Sequence, residues 1–185
     1  MRWQGLFEDL EAQAAALEVA ERGAEIEERT RAETAQLALV DRLRPAVGLD
    51  LKLRCRGGLV LAGRPRHVGV EWLLLDEGGG REALVSLASV ATIGGLGRLS
   101  AAPNTVSRVE SRLGLRHALR GIARDRSVLR AHLADATTID GTIDRVGADF
   151  VEIALHAPGE VRRRTEVREV LVMALGELVA IRRDQ

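Results

Sequence analysis

Gly141-Thr-Ile-Asp-Arg-Val-Gly-Ala-Asp-Phe-Val-Glu-Ile153 reads as two short strands joined by a tight turn. Ile143 and Val146 belong to the first strand, and Phe150-Val-Glu-Ile153 opens the second. Gly147 is expected to supply a positive φ at the turn, and the Asp149 side chain to cap it. The stretch has a twin 78 residues earlier, Gly63-Arg-Pro-Arg-His-Val-Gly-Val-Glu-Trp-Leu-Leu-Leu75. Gly63 falls on Gly141, Val68 on Val146, Gly69 on Gly147, Glu71 on Asp149 and Trp72 on Phe150. A glycine, four residues, Val-Gly, a spacer, an acid and an aromatic therefore occur twice, and the chain reads as a duplicated small β unit.

Around each copy the strands can be counted. In the first unit Leu51, Lys52, Leu53, Arg54 and Cys55 alternate apolar and polar, as a half-buried strand does. Gly57-Gly58 turns into a second strand at Leu59–Ala62, and Gly63 marks a bend or bulge. Val68–Leu75 is the third strand, Ala83–Ser86 the fourth and Val90–Ile93 the fifth. The second unit repeats this as Val128–Leu133, Thr138–Val146, Phe150–Leu155, Thr165–Met173 and Leu178–Ile181. Leu175, Leu178 and Ile181 match Leu87, Val90 and Ile93 at an offset of 88, so the hairpin between the third and fourth strands is ten residues longer in the second unit. Five short bent strands in each unit suit a small closed barrel.

Two helices complete the plan. Residues 1–45 are rich in Ala, Glu, Leu, Gln and Arg with no proline before Pro45, and Trp3, Leu6, Phe7, Leu10, Ala14, Leu17 and Ala20 keep helical spacing. This predicts one long acidic amphipathic helix, or two with a break at Arg22–Ala24. A helix of this length needs its apolar edge packed on something. Residues 98–126 form a linker and an arginine-rich helix from Val106 to Arg126, which Gly114 kinks or divides. The expected architecture is α+β: a long helix over 1–45, a first barrel over 46–97, the linker and helix over 98–126, and a second barrel over 127–185.

This arrangement, with its Gly-x-acid-aromatic turn into each third strand, resembles the Sm-like barrel of the LSm and Hfq proteins, written twice in tandem. The whole chain also resembles an uncharacterised family of actinobacterial proteins, some labelled Fis-type transcription regulators. That second likeness rests on Trp3-x2-Leu-Phe-x-Asp-Leu-Glu11, on Gly141–Gly147 and on His156-x-Pro-Gly-Glu160. The Sm resemblance implies the fold and, in that family, binding of single-stranded RNA around a ring pore. The residues that carry such binding are absent here. Neither repeat has the Asn after its aromatic turn, and the turns at Ala88-Ser89 and Gly176-Glu177 lack the Arg-Gly pair.

Charge narrows the remaining functions. The 27 basic and 27 acidic residues cancel, so the molecule as a whole has no general attraction for nucleic acid. Residues 1–45 hold ten acids against six bases, and residues 46–185 hold seventeen acids against twenty-one bases. Three basic clusters are candidates for phosphate or an acidic partner, since the arginine fork matches both. One is Arg54, Arg56, Arg64 and Arg66 with His67. The second is Arg108, Arg112, Arg116, Arg120 and Arg124, stacked at every fourth residue along one helix ridge. The third is Arg162, Arg163, Arg164 and Arg168. The acidic stripe Glu11, Glu18, Glu21, Glu25 and Glu28 is an alternative partner for the ridge. Trp72 and Phe150, the only candidate stacking platforms, read as core.

No nucleophile elbow, zinc signature or phosphate loop occurs, the four histidines are scattered, and Cys55 is alone. No catalytic residue, metal site or cofactor is expected. No signal peptide or membrane span is evident, which points to the cytoplasm. Two readings follow. The first is a non-enzymatic interaction or assembly protein, homo-oligomeric or docked on another protein through its helix and barrels. The second is a regulator that binds RNA or DNA through its arginines.

Overall fold

The computed structural model describes residues 2–102, 114–155 and 169–184. The chain divides into two compact units, residues 1–38 and 39–185.

The first unit is helix α1, Arg2–Ala35, continuous through Gly23 where the sequence offers a break. Exposed i,i+4 pairs brace it: Arg22–Glu18, Arg31–Glu27 and Arg29–Glu33, at 2.8, 3.2 and 3.1 Å. Each contributes only a few tenths of a kcal/mol. The helix stops ten residues short of the expected end. A turn at residues 36–38 intervenes, and α2 (Leu39–Leu43) and the 3₁₀ turn Arg44–Ala46 belong to the second unit. Packing separates them: Leu43 and Ala46 are buried with Leu51 in a small apolar cluster, whereas α1 is exposed from Glu11 onward.

The second unit is a ten-stranded antiparallel sheet. The first five strands are β1 (Leu51–Cys55), β2 (Val60–Val68), β3 (Trp72–Gly78), β4 (Arg81–Ser86) and β5 (Val90–Gly94). The second five are β6 (Leu129–Leu133), β7 (Thr138–Val146), β8 (Phe150–Leu155), β9 (Val170–Ala174) and β10 (Leu178–Asp184), with α3 (Leu115–Asp125) before them. The spatial order is β5-β1-β2-β3-β4-β10-β6-β7-β8-β9. Two closed barrels were expected, but the ladder does not close. The halves are joined edge to edge by β4 and β10, which pair antiparallel from Ala180↔Val85 to Asp184↔Arg81. Strand order within each half is the same.

The second strand is longer than the sequence suggests. β2 runs unbroken past Gly63, and its irregularity falls between Pro65 and His67, where a proline without an N–H is tolerated in an interior strand. Gly63 and Gly141 serve close approach: a Cβ there would strike the backbone of Asp76 or Ala154 on the neighbouring strand. Gly147 has no positive φ, which corrects the turn reading. Its N–H donates to the Phe150 carbonyl at 2.9 Å, and the Phe150 ring lies where a Cβ would be. Gly69 repeats this with Trp72, at 2.8 Å, and with the indole in the same place.

Each half builds its own core, and the junction strands are shared. Leu53, Leu61, Leu73, Leu75 and Val85 form the first core, which also takes Val179 and Ala180 from β10. Leu119, Leu129, Ile143, Val151, Ile153 and Ile181 form the second, which takes Leu84 from β4. Helix α3 packs over β7 through Leu115, Leu119 and Ile122, one stripe at helical spacing. Gly114 lies in extended conformation immediately before the helix, so α3 begins after it, and residues 106–113 of the expected helix lie outside the described residues. Burying Leu119 contributes about 1.5–3 kcal/mol.

Candidate interaction surfaces

The repeated turn does more than reverse the chain. In the first half the Glu71 carbonyl accepts the Leu87 N–H at 2.9 Å, and in the second the Asp149 carbonyl accepts the Leu175 N–H at 2.7 Å. These bonds tie each second-to-third-strand turn to the fourth-to-fifth-strand turn of the same half. Asp149 thus acts through its main chain, not as the side-chain cap expected. Glu71 does both: its Oε2 also accepts the N–H of Leu115 at 3.0 Å, placing a carboxylate at the amino end of α3. The four turns and the start of α3 enclose an open cleft of about 610 Å³, with Glu71, Asp149 and Arg116 on its wall. Two carboxylates against one guanidinium make it a poor phosphate cradle.

The arginine clusters meet different fates. Arg64 is held by Asp50 at 2.9 Å, and Arg66 by Asp76 at 2.6 Å. The Arg64 guanidinium lowers the Asp50 pKa. Asp76 is lowered first by the Gly78 N–H and then by Arg66. Both carboxylates stay ionised, and Arg64 and Arg66 are neutralised, which leaves Arg54 and Arg56 exposed on the first half. On α3, Arg116, Arg120 and Arg124 are exposed on one side of the helix. The Arg116 Nη1 donates to the Ala148 carbonyl at 3.4 Å and the Arg124 Nε to the Arg120 carbonyl at 3.4 Å, and none of the three has a carboxylate partner among the described residues. Arg108, Arg112, Arg162, Arg163, Arg164 and Arg168 lie outside the described residues. In the acidic stripe, Glu18 pairs with Arg22 of its own helix.

Trp72 and Phe150 are half-buried, and Trp72 packs against the second core. A smaller, mainly apolar pocket of about 210 Å³ opens beside Trp72, Leu84, Ile122 and Ile181. No group of three or more His, Cys, Asp or Glu side chains able to hold a metal occurs among the described residues. Among the same residues no helix is long and apolar enough to cross a membrane.

The feature that sequence reasoning missed is the pair of sheet edges that have no partner strand among the described residues. β5 ends the ladder on one side and β9 on the other. β9 reads Val-Leu-Val-Met-Ala, and Val170 and Val172 are 48% and 67% exposed. A run apolar at every position is the mark of a strand covered on both faces, and that signal was available in the sequence.

No protein-family model matches this chain, and no curated protein matches it either. The class is therefore defined by the fold alone: an α+β protein with a long N-terminal helix and a ten-stranded antiparallel sheet made of two repeats.

Proposed function

We propose that this protein is a non-enzymatic interaction and assembly protein that docks protein partners through its sheet edges and its long helix. The observation that carries this reading is β9, an uncharged, proline-free edge strand that exposes Val170 and Val172. Proteins guard free edges with charge, proline or bulges because unpaired N–H and C=O groups recruit other strands. Within Val170–Ala174 there is no such guard among the described residues, which suits a strand that is covered in the working assembly. Helix α1 supports the same reading, with Trp3, Phe7, Leu10 and Leu17 all more than half exposed. The repeated strand order supports reading each half as a bent, Sm-like small-barrel unit placed beside its twin.

A second reading, an RNA- or DNA-binding regulator, is favoured by Arg116, Arg120 and Arg124, which lack carboxylate partners among the described residues. Salt and nuclease separate the two, because phosphate contacts weaken steeply between about 50 and 200 mM salt and apolar pairing does not. The test immobilises the full chain, wild type or Val172→Lys, and follows the same variant, or another protein, bound from solution at both salt concentrations, with and without nuclease. The expected complex, with itself or with another protein, survives salt and nuclease and is lost in Val172→Lys. A complex that nuclease dissolves, or that Arg116→Glu/Arg120→Glu abolishes while Val172→Lys does not, overturns the proposal in favour of nucleic acid.

A further inference from the structure

The chain contains one worked example of how its two kinds of edge strand mate. β4, the fourth strand of the first half, pairs antiparallel with β10, the fifth strand of the second half. By duplication β9 is a second fourth strand and β5 a second fifth strand, and these are the two strands left at the ends of the sheet. From this we propose that one copy's β9 pairs with another copy's β5, so that chains join head to tail in the manner already used inside each chain. The inference rests on the interaction reading above and names the partner as a second copy.

The match between the two edges extends to detail. β10 is held to β6 through Leu178↔Leu133 and, after a one-residue irregularity, Ala180↔His132. β5 is held to β1 through Cys55↔Val90 and, after the same irregularity, Arg54↔Thr92. These are matched residues of the two repeats, so β5 turns the same backbone edge outward that β10 offers to β4. Carrying the internal register across the offset of 88 pairs Thr92 with Met173, Ile93 with Val172 and Gly94 with Leu171. The contact is short, because β5 ends at Gly94 and Gly95 turns away with φ +90°.

Exposure points the same way. Leu84 of β4 is 5% exposed, whereas its counterpart Val172 is 67% exposed. Ala180 of β10 is buried, whereas its counterpart Thr92 is exposed. These two positions, apolar and covered at the internal junction, are thus bare at the two ends, whereas Met173, the counterpart of Val85, is already buried. Because the joined patches differ, the contact is heterologous, and it either closes into a ring or continues as a filament.

The experiment is light scattering on the full chain with one edge blocked at a time, at concentrations up to about 100 µM, enough to populate a micromolar contact. Wild type and the mild control Val172→Thr are expected to run as multimers, and Val172→Lys and Thr92→Asp each as single chains. A mixture of the two blocked variants is expected to give a one-to-one dimer and nothing larger, since each supplies the edge the other lacks. Circular dichroism confirms that the variants, both at exposed positions, are folded. A monomeric wild type overturns the proposal. So does a multimer that Val172→Lys breaks and Thr92→Asp leaves intact, which would pair β9 with β9, or one broken only by Phe7→Glu/Leu17→Glu in α1. If the wild type is monomeric and Val172→Lys still loses a different protein, the interaction reading survives while this inference fails.

Discussion

At the scale of single residues, the repeated glycine before each aromatic is a matter of contact rather than of backbone angle. Phe150 folds back over Gly147 as Trp72 does over Gly69, leaving no room for a methyl group. Gly147→Ala is therefore expected to cost about 1–3 kcal/mol, the usual range for overpacking. Much of that cost should vanish in a Phe150→Leu background, measured as the shift in urea midpoint for the four members of the cycle. An equal cost in both backgrounds would mean that the ring is not what excludes the side chain. The spacing of glycine and aromatic was visible in the sequence, but its cause was not. A turn glycine chosen for positive φ and one chosen to lie beneath a ring are written with the same letter.

At the scale of elements, β10 is the strand that makes one sheet of two halves, and a titratable group lies opposite it on β6. His132 of β6 sits opposite Ala180, and its Nε2 is buried with no hydrogen-bond partner among the described residues. Burial lowers its pKa first. Arg182 and Arg130 lower it further, while Glu77 and Asp140 partly oppose them. The Arg182–Glu77 pair, at 2.7 Å, spans the junction nearby. With the folded pKa below the unfolded value of about 6.5, the unfolded chain binds the extra proton. Stability is thus fully present above about pH 6.5 and is lost as pH falls from there towards the lowered folded value, at up to about 1.4 kcal/mol per pH unit. His132→Leu is expected to flatten that part of the denaturation profile relative to wild type, since the other three histidines are common to both chains. Profiles that stay parallel would show that His132 is not protonated on unfolding. The lowered aspartates act in the same direction at lower pH: Asp50, Asp76 and Asp135 add stability above the ordinary carboxylate range and lose it as they protonate.

At the scale of the whole molecule, the sheet unit should unfold as one body. Val179 and Ala180 complete the first core and Leu84 the second, so neither half is whole without the other. Leu53→Ala in the first half and Ile153→Ala in the second should each cost about 2–5 kcal/mol. Both are expected to move one shared calorimetric transition of the sheet; two separable transitions would show halves that fold independently. The alternation of Leu51, Leu53 and Cys55, and the twin turns, made the individual strands readable, because burial of one face writes a period of two into the chain. Which strand of one half meets which strand of the other leaves no such trace. Pairing between β4 and β10 is carried by backbone groups that every residue has, and only the unbroken apolar run of β9 hinted that edges mattered. The exposed arginines were readable as a ridge on α3, yet the neutralisation of Arg64 and Arg66 depended on Asp50 and Asp76, 14 and 10 residues away in sequence.

The shared strand also fixes the order of events as the chain is made. β4 is complete at Ser86, but its partner β10 begins only at Leu178. At about 5–20 residues per second on the ribosome, the first half waits roughly 5–20 s with an apolar edge unpaired. During that interval Leu84, later buried in the second core, has no core to enter. Exposed apolar surface and unpaired strand edges are aggregation-prone, and neighbouring ribosomes on one message would hold several such edges close together. An edge left open for that interval is thus a hazard of the chain's own synthesis.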